Sequence, residues 1–140
     1  MGKRRGLREF ALQVLYQLNI TKQDAIQILA QSKEHFLPKG ENHKFAEKIV
    51  LGVLEHCQEI DRLIEQYSEN WRLDRMTIID RNILRMALFE LLYCEDIPPK
   101  VTLNEAVDLG KRYGSEDSGS FINGILDRIQ NEVVRKPIQP

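Results

Sequence analysis

Apolar residues recur at Leu7, Phe10, Ala11, Val14, Leu15 and Leu18, three and four positions apart, which is the spacing of one buried face of an α-helix. The same spacing at Ala25, Ile26, Ile28 and Leu29 predicts a second helix, with Thr21 and Asp24 placed to cap and charge its start. The stretch "LPKGENH" over 37–43 contains Pro38 and Gly40 and predicts a loop. Beyond it, Phe45, Ile49, Val50, Val53, Leu54, Ile60, Leu63, Ile64 and Tyr67 keep helical spacing over 44–68, with a break near Cys57 left open.

The most apolar segment runs from Met76 to Cys94. Thr77 and Asp80 have capping-box spacing at its start, and its lower half is apolar on nearly every side, as a central helix would be. Asp96-Ile97-Pro98-Pro99 ends it, because proline restricts the residue before it and cannot donate to the ladder. Thr102-Leu103-Asn104-Glu105 is a capping box that predicts a short helix stopping at Gly114. A last helix after "SEDSGS" carries Phe121, Ile122, Ile125, Leu126, Ile129 and Val133 at core spacing and frays at Lys136-Pro137. Nowhere does apolar and polar character alternate as a strand requires. The reading is all-α: one domain over 1–140, a compact bundle of about six or seven helices, with a basic arm at 1–5 and a frayed tail at 136–140.

Composition narrows the function. With 140 residues, 42% hydrophobic and 29% charged, the chain is a globular protein able to bury a core without disulfides or metal. Its net charge of −1 means that affinity for a polyanion must come from a local patch. Cys57 and Cys94 lack CxxC spacing and read as free thiols of a reducing, cytoplasmic environment. The basic start is followed by no secretory apolar run, and no segment has membrane-spanning length, so no membrane contact is expected. His35, His43 and His56 lack ligand spacing, and no nucleophile elbow or phosphate-binding glycine loop is present. No enzyme activity, metal or cofactor is expected.

Candidate binding chemistry lies in three places. Lys3, Arg4, Arg5 and Arg8 crowd the start of a helix beginning near Arg5, and the apolar stripe leaves Arg4, Arg5 and Arg8 free to project. Cations there oppose the helix dipole by some tenths of a kcal/mol each, so either a solubilising terminus or phosphate neutralisation accounts for them. Arg81 and Arg85 lie four apart on one side of the central helix, facing a partner or pairing with an acid such as Glu41 or Glu47. "RYGSEDSGSFING" supplies Ser115, Asp117 and Ser118 as N-caps. With Phe121 in the next turn it also suits an unpaired base and its phosphate, although Phe121 fits the core stripe equally.

The blocks "RRGLREFALQVLYQ", "NWRLDRMTIIDRNILRMALFELLY" and "DIPPKVTLNEAVDLGKRYGSEDSGSFINGILD" together resemble the NusB family of bacterial transcription antitermination factors. The resemblance implies an all-helical fold of two packed helical subdomains and no enzymatic activity. It also implies a partnership with NusE, a small-subunit ribosomal protein, on single-stranded boxA RNA of ribosomal RNA leaders, joined to other Nus factors and RNA polymerase. Carried over by position, Lys3, Arg4, Arg5 and Arg8 would hold RNA phosphates and Tyr16 would line the same side. Asp117, Ser118 and Phe121 would lie near the RNA, and Asp80 and Arg85 near the RNA and NusE side of the central helix, where Arg81 is added as a partner-facing candidate from its place beside them. Two departures stand out: Gly6-Leu7 interrupts the arginine run, leaving ordering on binding open for the arm, and Ser120 replaces a common lysine. The competing reading is a helical protein–protein adaptor whose RNA contact is incidental.

Overall fold

The computed structural model describes residues 2–21, 24–35, 44–69 and 72–134; side chains at 2, 3, 25, 32–35 and 134 lie outside that description. Seven α-helices make up the described residues, and no strand occurs among them. They are α1 (Gly2–Thr21), α2 (Ala25–His35), α3 (Lys44–Glu55), α4 (Cys57–Tyr67), α5 (Ile78–Tyr93), α6 (Pro99–Tyr113) and α7 (Ser118–Ile129). A 3-10 turn at Leu73–Arg75 precedes α5 and a π-turn at Gln130–Val134 follows α7.

α5 is the axis, as its apolarity predicts. It packs against α1, α3, α4, α6 and α7. Ile83, Leu84, Met86, Leu88 and Leu91 on it are fully buried, and Ile49, Ile60, Ile64, Ile122, Leu126 and Ile129 close around them. The start of α5 is capped as expected: the Asp80 N–H donates to the Thr77 hydroxyl at 3.1 Å. α3 comes so near α5 that a Cβ on Gly52 would lie 2.2 Å from the Phe89 ring. α1 packs on α2, α3 and α5, and α6 and α7 pair with each other and with α5.

Several expected boundaries move. α1 is helical from Gly2, so the predicted arm is the first turn of the helix. Thr21 ends α1 rather than starting α2, its hydroxyl donating to the Gln17 carbonyl at 2.8 Å. The stretch 44–68 is two helices, broken at His56, whose ring stacks on Tyr93 with centroids 4.0 Å apart. α6 begins at Pro99, not at Thr102, because proline presets the first helical φ and sacrifices only an N–H that has no intrahelical partner. Thr102 is thereby inside the helix, its hydroxyl freed for another use. Ile26, expected in the core, is 69% exposed, and Val133 is also exposed. Neither Cys57 nor Cys94 is in a disulfide. The loop at 37–43 and the tail at 136–140 lie outside the described residues.

Candidate nucleic-acid interface

Along a charged seam, Arg5 and Arg8 of α1 reach acids of α6 and of the C-terminal end of α5, and Arg4 reaches Asp96 in the connection between those two helices. Their stripe position decides what each one does there. Arg8 follows Leu7 and precedes Ala11 and Leu15 on the inward face, so it is buried, with 4% exposure. Its Nε and Nη2 donate to the two carboxylate oxygens of Glu90, each at 2.8 Å. Glu90 is equally buried and takes a further hydrogen bond from the Thr102 hydroxyl at 2.9 Å. The expectation that Arg8 projects freely is therefore corrected: a buried acid in α5 required a cation, and Arg8 supplies it.

One turn earlier the arginines are half-exposed. Arg5 forms a fork on Glu105, Nε to Oε1 at 3.2 Å and Nη2 to Oε2 at 3.0 Å, with Asp108 3.9 Å away. That hydrogen bond holds the Glu105 carboxyl below its ordinary range, against the opposing effect of its partial burial. Arg4 lies 4.4 Å over the Phe45 ring and reaches Asp96 at 3.5 Å. Neither arginine is unpaired, which corrects the second part of the expectation, but both keep open solvent on one side. The Lys3 side chain lies outside the described residues; its backbone is in the first turn of α1.

α6 carries the seam onward to α7. Arg112 Nη1 meets Glu9 of α1 at 2.6 Å, and the Tyr113 hydroxyl donates to the same carboxylate at 2.8 Å. On a neighbouring face of α6, Lys111 lies against the start of α7, where a Cβ on Gly119 would be 3.0 Å from its Cγ. Ser118 is buried; its hydroxyl accepts from the Ser115 N–H at 2.8 Å and so holds the turn from inside. Asp117 occupies the N-cap position of α7 without a capping hydrogen bond from its side chain, which is exposed. Phe121 is half-buried and packs against the core.

The residues expected to face a partner are also mostly committed. Arg85 forks onto Asp61 at 2.8 and 3.0 Å and donates to Asn82, so an acid does neutralise it, from α4. Asp80 is 7% exposed, and its Oδ1, like Arg81 Nε, has no hydrogen-bond partner among the described residues. Ile79 beside them lines a groove of about 510 Å³ together with Phe10, Tyr16 and Tyr113. Tyr16 and Tyr113 are 40% and 46% exposed, so the groove opens to solvent.

Lys111, Arg112, Glu105 and Glu90 escaped sequence reasoning. For Glu90 the signal was present: one acid inside "MALFELLY" demands a buried cation. Glu105 fits a capping box, and the pair "KR" at 111–112 has nothing in its spacing to set it apart from an ordinary basic helix end. No helix among the described residues is long and apolar enough to cross a membrane, and no group of His, Cys, Asp or Glu among them is arranged to hold a metal ion.

Fold and site together define a small all-helical binding protein, with a charged seam along one edge and an apolar groove beside it. Comparison with known proteins makes the class specific. The model of the NusB family matches residues 5–131, and the chain belongs to the NusB family. It is 51% identical to the transcription antitermination protein NusB of Myxococcus xanthus, over 92% of this chain and 95% of that protein. Among solved structures it is similar to T. maritima NusB, with a TM-score of 0.85 at 40% identity over 94% of this chain and 92% of that one. It is also similar to a crystal structure of the antitermination factors NusB and NusE in complex with double-stranded RNA, with a TM-score of 0.84 at 30% identity, covering 94% and 98%.

Proposed function

We propose that this protein is a cytoplasmic transcription antitermination factor that binds RNA jointly with NusE, with the boxA element of ribosomal RNA leaders as its target. In that role it joins RNA polymerase through the other Nus factors and catalyses nothing. The observation that carries the reading is the meeting of the two predicted halves of the site on α6. Glu105, Asp108 and Arg112 of α6 touch α1, while Lys111 touches the α7 turn, which supports a shared edge for Arg5 and Asp117.

On that edge Lys3, Arg4 and Arg5, joined by Lys111 and Arg112, neutralise phosphates. Each contact releases condensed counterions, so affinity falls with salt. Arg8 and Ser118 act from beneath, the first fixing α1 on α5 and the second fixing the α7 turn. Asp117, Tyr16 and the edge of Phe121 meet bases, whose faces stack on aromatic rings and whose edges accept and donate hydrogen bonds. NusE docks on the groove of Tyr16, Ile79 and Tyr113, next to Asp80 and Arg81. Two modest surfaces read by one RNA–protein pair give joint affinity that neither has alone.

The test is a titration of boxA and scrambled RNA, single- and double-stranded, with the NusE complex. Replacing Arg4 and Arg5 together by alanine lowers RNA affinity about tenfold or more and flattens the salt dependence, while NusE affinity holds. Unchanged RNA binding beside intact NusE binding would make the protein an adaptor instead. Asp117→Asn alters RNA affinity, because it replaces a carboxylate that meets a base. It leaves the melting temperature in place, since asparagine suits an N-cap as well as aspartate. A variant that melts several degrees lower and binds RNA as before assigns Asp117 to the fold alone.

A further inference from the structure

We propose that Glu105 is a specificity-determining residue of the RNA site: its carboxylate occupies the guanidinium edge of Arg5 that a phosphate would take, so RNA enters by exchange with an internal anion. This rests on the RNA reading above. The two near-parallel hydrogen bonds at 3.2 and 3.0 Å use the same donor fork that recognises phosphate oxygens. The partners are unequally placed. Arg5 has 49% of its side chain exposed and Glu105 only 14%, so the guanidinium is able to turn outward while the carboxylate stays in the seam. Asp108 at 3.9 Å adds to the negative field that an incoming phosphate must overcome.

The exchange has an ionic signature. When phosphate takes Arg5, the RNA releases a counterion, but Glu105 loses its cation. Arg8, its other neighbour at 3.8 Å, remains bound to Glu90, so the released carboxylate recruits a cation from solution. Uptake offsets release, and the Arg5 contact contributes little to the salt dependence. A lone phosphate or short anion gains too little to displace the fork. A strand that also engages Arg4 and Lys111 gains enough, so the masked arginine rejects short polyanions while admitting RNA.

The experiment compares the unsubstituted protein with Glu105→Gln, Arg5→Ala and the double variant, each with NusE, titrating boxA RNA and a short inorganic polyphosphate over a range of salt. Glutamine keeps the length and the Oε1 acceptor and removes the charge. Glu105→Gln is expected to bind RNA about fivefold to tenfold more tightly, with a log–log salt slope steeper by about 0.7, and to gain proportionally more for polyphosphate. Arg5→Ala is expected to weaken RNA binding while leaving the slope nearly unchanged, a readout that holds even if Glu105→Gln fails to fold. In the double variant the gain disappears. RNA binding by the unsubstituted complex, with Glu105→Gln unchanged or weaker or with Arg5→Ala flattening the slope by the full 0.7, overturns the exchange alone. No RNA binding by the unsubstituted complex overturns the RNA reading, and the exchange with it.

Discussion

α1 has two seams built by different physics. Toward α3 and α5 it buries Phe10, Ala11, Val14 and Leu15 in close apolar packing. Toward α6 and the C-terminal end of α5 it reaches across with long charged side chains: Arg5 to Glu105 and Glu9 to Arg112 on α6, and Arg8 to Glu90 on α5 at the deepest point. The apolar seam is worth roughly 25 cal/mol for each Å² removed from water and is indifferent to salt and to other ions. The charged seam exchanges hydration for pairing at little net gain wherever water still reaches it. A helix held by the first seam is free to use the second for binding, since its outer ion pairs are replaceable without loss of the fold.

Breaking the buried Arg8–Glu90 ion pair gives the largest effect. Arg8→Ala leaves Glu90 buried with only Thr102 and costs about 3–5 kcal/mol, read as a fall in the urea midpoint; a cost below about 1 kcal/mol would place the pair with the surface ones. Overpacking the apolar contacts comes next. Gly52→Ala puts a methyl 2.2 Å from the Phe89 ring, and the shift it forces between α3 and α5 costs about 1–3 kcal/mol with no change in RNA affinity. Arg5→Ala then separates the two roles of the charged seam. Its stability cost stays within about 1 kcal/mol, because the pair is half-exposed, while RNA affinity falls. A stability loss as large as that of Arg8→Ala would erase the distinction between inner and outer pairs.

How much of this the chain disclosed follows the same division. The apolar seam was legible because it is local: the three-and-four spacing of Leu7 to Leu18 names the buried face, and the run from Met76 to Cys94 names the axis. The charged seam was not, because its partners lie 82 to 104 positions apart and no periodicity links them. Arg8 read as a surface cation until Glu90 was found beneath it. Thr102 and Glu105 matched a capping box, yet Pro99 started the helix a turn earlier and released both side chains to α1 and α5. The arginine row and the "SEDSG" turn were recognisable as pieces, but only α6, carrying Glu105 and Lys111 on adjacent faces, joins them.

The smallest effect is a pH dependence carried by Glu105. Glu105 is held below its ordinary carboxyl range by the Arg5 hydrogen bond, so its folded pKa lies under the unfolded value of about 4.3. Such a group contributes its stabilisation in full above the unfolded value and loses it as pH falls through the folded one. Stability measured from neutral pH downward therefore stays level until the mid-4 range and then declines, and Glu105→Gln removes a small part of that decline. The part is small because Arg5 is well solvated and screened. The same protonation frees Arg5, so phosphate affinity per exposed arginine rises over the interval in which the seam weakens. Opposite slopes of stability and polyphosphate binding below about pH 4.5 would tie the two to one carboxylate, whereas parallel slopes would show that the outer pairs hold the fold as the inner pair does.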